Sequence, residues 1–144
     1  MHVELREAPF APWRELAEYE AGHATPGRHG AVAVFVGDMR DHNDGDEIVS
    51  LFLDHYPEMT RRHLESICAA AYEKWKLLDV LVLHRIGEVR PGETIVLVAV
   101  WSAHRAEAYA ANRFIMEDLK SSAPLWKRET LNDGTRWVEH NTPG

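Results

Sequence analysis

Two apolar segments separated by a four-residue turn signal constrain the fold of this 144-residue chain more than any other feature. The segments run from Asp79 to Ile86 and from Thr94 to Trp101, and both are short and rich in Val and Leu, as buried strands are. Between them, Arg90-Pro91-Gly92-Glu93 places proline and glycine at the two central positions of a type II turn. The pattern predicts a β-hairpin.

Helical spacing of apolar residues follows and precedes this hairpin. Pro57 stands at a first helical position and opens a predicted helix that ends near Trp75. Residues 103 to about 120 return to the same spacing, and an earlier helix is predicted from Pro12 to about Ala21. Each helix has one apolar face, so we expect the helices to pack on a sheet.

Four further segments have strand character. The first two are predicted to pair as a hairpin across the polar loop 41–46, and the last two to form a short hairpin around Asn132-Asp133-Gly134. Two β-β-α blocks and a terminal hairpin predict an α+β sandwich, with residues 1–144 as one domain. These four segments are residues 31–36, 48–55, 126–130 and 135–138.

Composition disfavours several classes of protein. Sixteen Lys and Arg residues against 23 Asp and Glu residues give a net charge of −7, which disfavours binding to a nucleic acid backbone. The N-terminus lacks a basic segment followed by an apolar one, and about 18 consecutive apolar residues occur nowhere. We therefore expect a soluble, cytoplasmic protein.

Cysteine and histidine usage bears on redox and metal chemistry. Cys68 is the only cysteine, so an intramolecular disulfide is excluded, and its place beside Leu64 and Ile67 on a helix favours a small core residue over a reactive thiol. The nine histidines show no metal-binding spacing, and neither a phosphate-binding glycine loop nor a serine-hydrolase motif occurs. We expect no metal and no cofactor.

Two lysines lie on either side of a helix stop. Lys120 ends the last predicted helix, Pro124 prevents its continuation, and Lys127 follows on a strand. Such a turn can direct both ammonium groups into one cleft, which indicates an anionic substrate. Taken singly, each lysine is equally compatible with a solvated surface position.

Other cations occur where a strand ends or a helix begins. Arg40 follows a buried strand together with Asp38 and Met39, and it either lines a pocket or pairs with a neighbouring carboxylate. His104 and Arg105 precede a helix, whose N-terminus attracts anions, so they form either an anion site or a solvated pair.

The order of several short motifs resembles one family, the large catalytic subunits of molybdopterin synthase. The resemblance covers about residues 30 to 139, whereas the first 29 residues match poorly and are expected to supply the first helix without touching the chemistry. The matching blocks are Phe35-Val36-Gly37, Met39-Arg40-Asp41-His42-Asn43, Leu53-Asp54-His55-Tyr56-Pro57-Glu58-Met59, His84-Arg85-Ile86-Gly87, Ser102-Ala103-His104-Arg105, Phe114-Ile115-Met116, Lys120, Ala123-Pro124, Trp126-Lys127-Arg128-Glu129 and Arg136-Trp137-Val138-Glu139.

The resemblance implies a sulfurtransferase of molybdenum-cofactor biosynthesis that converts cyclic pyranopterin monophosphate into molybdopterin. It implies a small ubiquitin-like subunit whose C-terminal Gly-Gly thiocarboxylate donates the sulfur, so a catalytic cysteine is not required. It also implies an α/β hammerhead fold with an added antiparallel β subdomain. The expected assembly is a homodimer at the centre of a heterotetramer.

Site residues carry over by position in the matching blocks. Lys120 and Lys127 match the active-site lysines, and Lys120 is the expected general acid or orienting amine, with Lys127 its electrostatic partner. In such dimers the His104-Arg105 pair is expected to reach the site from the other subunit. The expected substrate-binding residues are Phe35, Asp38, Met39, Arg40, His104, Arg105, Met116, Arg128 and Glu129.

Two other functions compete with the synthase. One is a non-catalytic module that docks a ubiquitin-like tail, although docking alone would not require the cations Arg40, Lys120 and Lys127. The other is a metal-free phosphoesterase or lyase with His104 as base and Arg105 as anchor, which lacks an obvious nucleophile or second acid.

Overall fold

A computed structural model of the chain describes residues 1–23, 25–43, 45–122, 125–131 and 134–137. At residues 54, 55, 57, 122 and 125–128 it describes the backbone only. Within the described residues the chain forms three helices and nine strands. The helices are α1 (Pro12–His23), α2 (Pro57–Lys74) and α3 (Arg105–Ser122). The strands are β1 (His2–Arg6), β2 (Ala31–Asp38), β3 (His42–Asn43), β4 (Asp46–His55), β5 (Asp79–Arg85), β6 (Gly87–Val89), β7 (Thr94–Ser102), β8 (Leu125–Leu131) and β9 (Gly134–Trp137).

The first sheet has the strand order β1-β5-β7-β2 and is covered on both faces. Val80 and Val82 of β5 pack with the buried residues of α2 and α3, while Leu81 and Leu83 pack with partly buried residues of α1. Both faces are therefore apolar, which explains why β5 and β7 read as continuous hydrophobic runs. The predicted pairing of these two strands is confirmed, with Val82 opposite Val98.

The second sheet has the order β3-β4-β8-β9, with β6 paired to β4. The predicted hairpin between residues 31–36 and 48–55 is wrong, because β2 pairs antiparallel with β7 whereas β4 pairs with β8 and β6. The reason is burial: β2 has apolar residues on both faces and joins the doubly covered sheet, whereas β4 packs Ile48, Leu51 and Leu53 into a separate core cluster. The two sheets and three helices of the described residues confirm the α+β class.

Strand β1 lies in a region that was expected to supply only a helix. It pairs in parallel with β5, with Val3 opposite Val82, and Val3 and Leu5 pack against the core under α2 and α3. Two apolar residues in a five-residue strand are too weak a pattern to predict it from sequence. The predicted terminal hairpin is confirmed as β8 and β9, although its turn residues 132 and 133 lie outside the described part. No helix in the described residues is long and apolar enough to cross a membrane.

Cys68 lies in the core, as its helical position predicts. Its side chain is fully buried among Leu64, Ile67 and Ala71, and this burial raises the pKa of its thiol to about 12. The thiol is therefore protonated across the neutral range, and the nucleophilic thiolate is scarce.

We expect the native chain to resist alkylation at Cys68. Iodoacetamide at pH 8 should modify the folded protein far more slowly than the same protein in denaturant, because reaction needs both exposure and ionisation of the thiol. Mass spectrometry of the intact chain measures the modified fraction. Equal rates with and without denaturant would contradict the buried placement.

Asn112 of α3 is a buried polar group that ties the helix to the sheet. Its Nδ2 donates to the carbonyl of Ala33 at 2.9 Å and to that of Val98 at 3.0 Å, which lie on the adjacent strands β2 and β7. A buried carbonyl without its donor is costly, so both bonds fix where α3 crosses the strands.

Replacement of Asn112 by alanine is expected to lower the free energy of unfolding by about 1–3 kcal/mol, because it removes two buried hydrogen bonds. Urea denaturation followed by circular dichroism measures this change. Arg113→Ala is the matched control, since Arg113 is exposed and adjacent on the same helix. A loss in Asn112→Ala no larger than in the control would contradict the assigned role.

Candidate active site

Helix α3 runs along the first sheet from one end to the other. Strand β7 runs from Thr94 to Ser102, and α3 then returns along the sheet until Asn112 lies over Val98. Lys120 is eight residues further, about 12 Å along a helix, and Thr94 is about 13 Å back along the strand. Because Asp38 of β2 is opposite Thr94, the end of α3 lies at the same end of the sheet as the end of β2.

Lys120 lies in the last turn of α3 and is half-buried. A cation here also interacts favourably with the negative end of the helix dipole. Strand β8 begins at Leu125, so the backbone of Lys127 follows α3 closely and lies opposite Leu53 of β4. The two lysines predicted for the active site are thus on consecutive elements, one near the end of α3 and one near the start of β8. Residues 123 and 124, where the helix stop was predicted, lie outside the described part.

The segment after β2 is held in place by hydrogen bonds to the turn between β6 and β7. The amide of Met39 donates to the carbonyl of Glu93 at 2.9 Å, and the amide of Gly92 donates to the carbonyl of Met39 at 2.9 Å. Asp38 accepts a bond of 2.8 Å from the hydroxyl of Thr94. Gly92 has a φ of 85°, as the predicted type II turn requires.

Arg40 is exposed on a pocket of about 470 Å³ next to this turn. Its guanidinium is a donor suited to phosphate or carboxylate groups. The pocket is lined by Met39, Arg40, Asp41, His42, Pro91 and Gly92.

Arg85, which sequence reasoning did not single out as a functional residue, supports the same turn. Its guanidinium is buried, with 1% of the residue exposed, and donates from Nη2 to the carbonyl of Glu88 at 2.6 Å. Its Nη1 is 3.7 Å from Oε1 of Glu93, and that oxygen accepts a bond of 2.7 Å from the amide of Arg90. The sequence signal that could have indicated Arg85 is a charged residue at the end of a continuous apolar strand. Arg85 thus contributes indirectly to the placement of Arg40.

Glu129 is buried on β8, with 5% of the residue exposed. Its carboxylate accepts bonds from Nδ2 of Asn43 at 2.8 Å and from Nε of Arg136 at 2.9 Å. Asn43 is 86 positions away in the sequence and Arg136 seven, and neither was predicted as functional. The neighbouring Arg128 lies opposite Phe52 of β4 and Trp137 of β9 in the register of the sheet.

Three apolar or thioether side chains predicted to bind substrate differ in exposure. Met39 and Met116 are buried in core clusters, with 6% and 8% of each residue exposed. Phe35 is 39% exposed on β2, which is an edge strand, and its ring packs close to Gly37. Of the three, Phe35 is the residue with substantial accessible surface.

His104 and Arg105 are exposed at the opposite end of α3. Arg105 and Lys120 are fifteen positions apart, which is about 22 Å along a helix. The amide of Gly30 donates to the carbonyl of Ser102 at 3.0 Å, and a Cβ at Gly30 would clash with the carbonyl oxygen of Ala103, so glycine is needed for this approach. A single chain therefore does not bring His104 and Arg105 to Lys120.

The arrangement favours binding of anions. Arg40 and Lys120 lie at one end of the sheet, and cationic groups there can hold a phosphate and stabilise negative charge that develops during reaction. Among the described residues, no group of three His, Cys, Asp or Glu side chains is placed to hold a metal.

Comparison with known proteins assigns the family. Residues 7–122 match the family described as MoaE protein. The chain is 54% identical over 142 residues to a protein named molybdopterin synthase catalytic subunit from Haemophilus influenzae, covering 96% of this chain and 90% of the relative. A protein of the same name from Vibrio cholerae is 51% identical over 122 residues, covering 85% and 81%.

A solved structure agrees with this assignment. The crystal structure of molybdopterin synthase from Staphylococcus aureus superposes with a TM-score of 0.84 at 32% identity, covering 95% of this chain and 96% of that one. The agreement in sequence extends over most of each protein, and the agreement in fold over nearly all of both. The chain belongs to the MoaE protein family.

Proposed function

We propose that the chain is the catalytic subunit of a molybdopterin synthase. It would convert cyclic pyranopterin monophosphate into molybdopterin, with sulfur taken from the C-terminal thiocarboxylate of a small ubiquitin-like subunit. The observation that carries the proposal is the presence of Lys120 and Arg40 at one end of the sheet in a chain whose relatives are named catalytic subunits of this enzyme.

The charges expected in this reaction explain the cations. The substrate carries a cyclic phosphate, for which an arginine fork such as that of Arg40 is a suitable anchor. Attack on the pterin by a thiocarboxylate builds negative charge that a nearby ammonium group stabilises. We assign Lys120 as the general acid or orienting amine beside the thiocarboxylate and Lys127 as its electrostatic partner.

A second copy of the chain completes the site in this proposal. The helical distance of about 22 Å between Arg105 and Lys120 is too long for one substrate to bridge within one chain. His104 and Arg105 of one subunit would reach the phosphate bound beside Lys120 of the other. The assembly is then a homodimer at the centre of a heterotetramer, with one small subunit for each site.

The alternative function is a module that docks a ubiquitin-like tail without turnover. The half-buried position of Lys120 and the pocket beside Arg40 favour the enzyme, because docking of a tail requires neither a phosphate anchor nor a positioned ammonium group. A phosphoesterase or lyase centred on His104 and Arg105 is less well supported, because both side chains are exposed and lie far from Lys120.

A comparison of three reactions separates these functions. Each contains the purified chain and cyclic pyranopterin monophosphate, and the small subunit is absent, present with an ordinary carboxylate, or present as the thiocarboxylate. Product in the third reaction alone supports the synthase. Conversion of the substrate to a sulfur-free product without any small subunit supports the phosphoesterase or lyase. Binding of the small subunit without conversion of the substrate in any reaction supports the docking module.

A further inference from the structure

A buried carboxylate joins the two segments that carry the predicted cations of the site. Asn43, whose side chain donates to Glu129, is three residues after Arg40 on the segment that follows β2. Glu129 is two residues after Lys127 on β8. The bond of 2.8 Å between them spans 86 positions of the sequence and fixes one segment against the other.

Arg136 extends this contact into a network of four side chains. It lies directly opposite Glu129 in the pairing of β8 with β9, and its Nε donates to the Glu129 carboxylate at 2.9 Å. Its Nη2 donates to the carbonyl of Asn43 at 2.9 Å, and its Nη1 donates to Asp46 at 2.8 Å. One guanidinium thus contacts β8, β3 and β4 at the same time.

The chemistry of the network requires an acceptor at position 129. Both neighbours of its side chain, the amide group of Asn43 and Nε of Arg136, are donors. An ionised carboxylate only accepts hydrogen bonds, so it satisfies both, and a buried carboxylate is tolerated when it is paired in this way. The two hydrogen bonds to the Glu129 carboxylate are buried, since only 5% of the residue is exposed.

We infer that Glu129 is a positioning residue, which with Asn43 and Arg136 holds the Arg40 segment against strand β8 and so fixes this segment relative to the backbone of Lys127. This inference rests on the proposed function. It assigns Glu129 to the support of the site, whereas the family resemblance groups it with residues that bind substrate. Misplacement of catalytic groups by about 1 Å can cost about 100-fold in rate, so such support has a measurable effect.

The test exchanges the hydrogen-bond donor at position 43 with the acceptor at position 129. In Glu129→Gln the guanidinium of Arg136 loses its charged partner at position 129, and the amide of Asn43 must turn over to present its oxygen to the new amide. In Asn43→Asp two carboxylates meet. The double variant restores the pattern, because the amide introduced at position 129 donates to the carboxylate introduced at position 43 and still accepts from Arg136. It also keeps the net charge of the network while it removes the carboxylate from position 129.

Two measurements are made on all three variants. Steady-state turnover gives kcat and KM for the pterin, and amide hydrogen exchange of residues 39–43 and 127–131 reports how firmly the two segments are held, even if the chain shows no turnover. Glu65→Gln is the matched control, because Glu65 accepts a partly buried bond from Arg61 on the distant helix α2.

We expect each single variant to lose about 10- to 100-fold in kcat/KM and to exchange faster in both segments, while the double variant recovers most of both properties. The inference is overturned if the double variant regains protection but stays as inactive as Glu129→Gln, since the carboxylate would then act on the substrate itself. Unchanged single variants, or a double variant that remains unprotected, would overturn it as well. Absence of turnover in the wild type contradicts the proposed function instead, and exchange still decides the inference.

Discussion

Lys120→Ala is expected to lower kcat for molybdopterin formation by about 100-fold or more, with the fold intact. Removal of a general acid or of a charge that stabilises the transition state typically costs about 10²–10⁴-fold. Lys120 is in the last turn of α3, where the interaction of a cation with the helix dipole contributes about 0.3–1 kcal/mol to stability. Steady-state turnover with the thiocarboxylated small subunit measures the effect.

Lys74→Ala is the matched control for this substitution. Lys74 is also a lysine in the last turn of a helix, but it belongs to α2 and its ammonium group lies 4.8 Å from the ring centre of Phe114. The control should retain activity close to that of the wild type. Equal activity of Lys120→Ala and Lys74→Ala, at equal melting temperature, would remove Lys120 from the proposed mechanism.

Mixed dimers of two inactive variants are expected to regain activity. If one site uses Lys120 of one subunit and Arg105 of the other, a dimer of Lys120→Ala with Arg105→Ala contains one site with both lesions and one with neither. Such a dimer should show about half the wild-type turnover, whereas each variant alone is nearly inactive. Two affinity tags and sequential purification isolate the mixed dimer for the assay.

The result depends on which chain supplies each residue. If Lys120 and Arg105 acted within one chain, every site of the mixed dimer would carry a lesion and no activity would return. The helical separation of about 22 Å argues against that arrangement. Persistent inactivity of a mixed dimer that is correctly assembled and still binds the small subunit would contradict the composite site.

Local patterns predicted the elements whose signals are close in sequence. Pro57 at the start of α2, the turn Arg90-Pro91-Gly92-Glu93 and the apolar runs of β5 and β7 each depend on neighbouring residues. The partners of β2 and β4 depend on which faces other elements cover, so nearness in sequence suggested the wrong hairpin. Strand β1 contributes only two apolar residues to the core, which is below what periodicity detects.

The candidate site shows the same division. Arg40, Lys120 and Lys127 are recognisable because they occur in short motifs beside a strand end, a helix end or a proline. The support of the site is not recognisable in this way, because Asn43 is 93 positions from Arg136 and 86 from Glu129. The separation of His104 and Arg105 from Lys120 could not be predicted from a local pattern, because it depends on how α3 is oriented on the sheet.

Transfer of labelled sulfur tests the central claim most directly. The small subunit is prepared with heavy sulfur in its C-terminal thiocarboxylate and is mixed with the purified chain and cyclic pyranopterin monophosphate. The account predicts a dithiolene product in which both sulfur atoms carry the label, together with two small subunits returned as the carboxylate for each molecule of product. A wild-type chain that binds the small subunit but yields no labelled dithiolene would contradict the account.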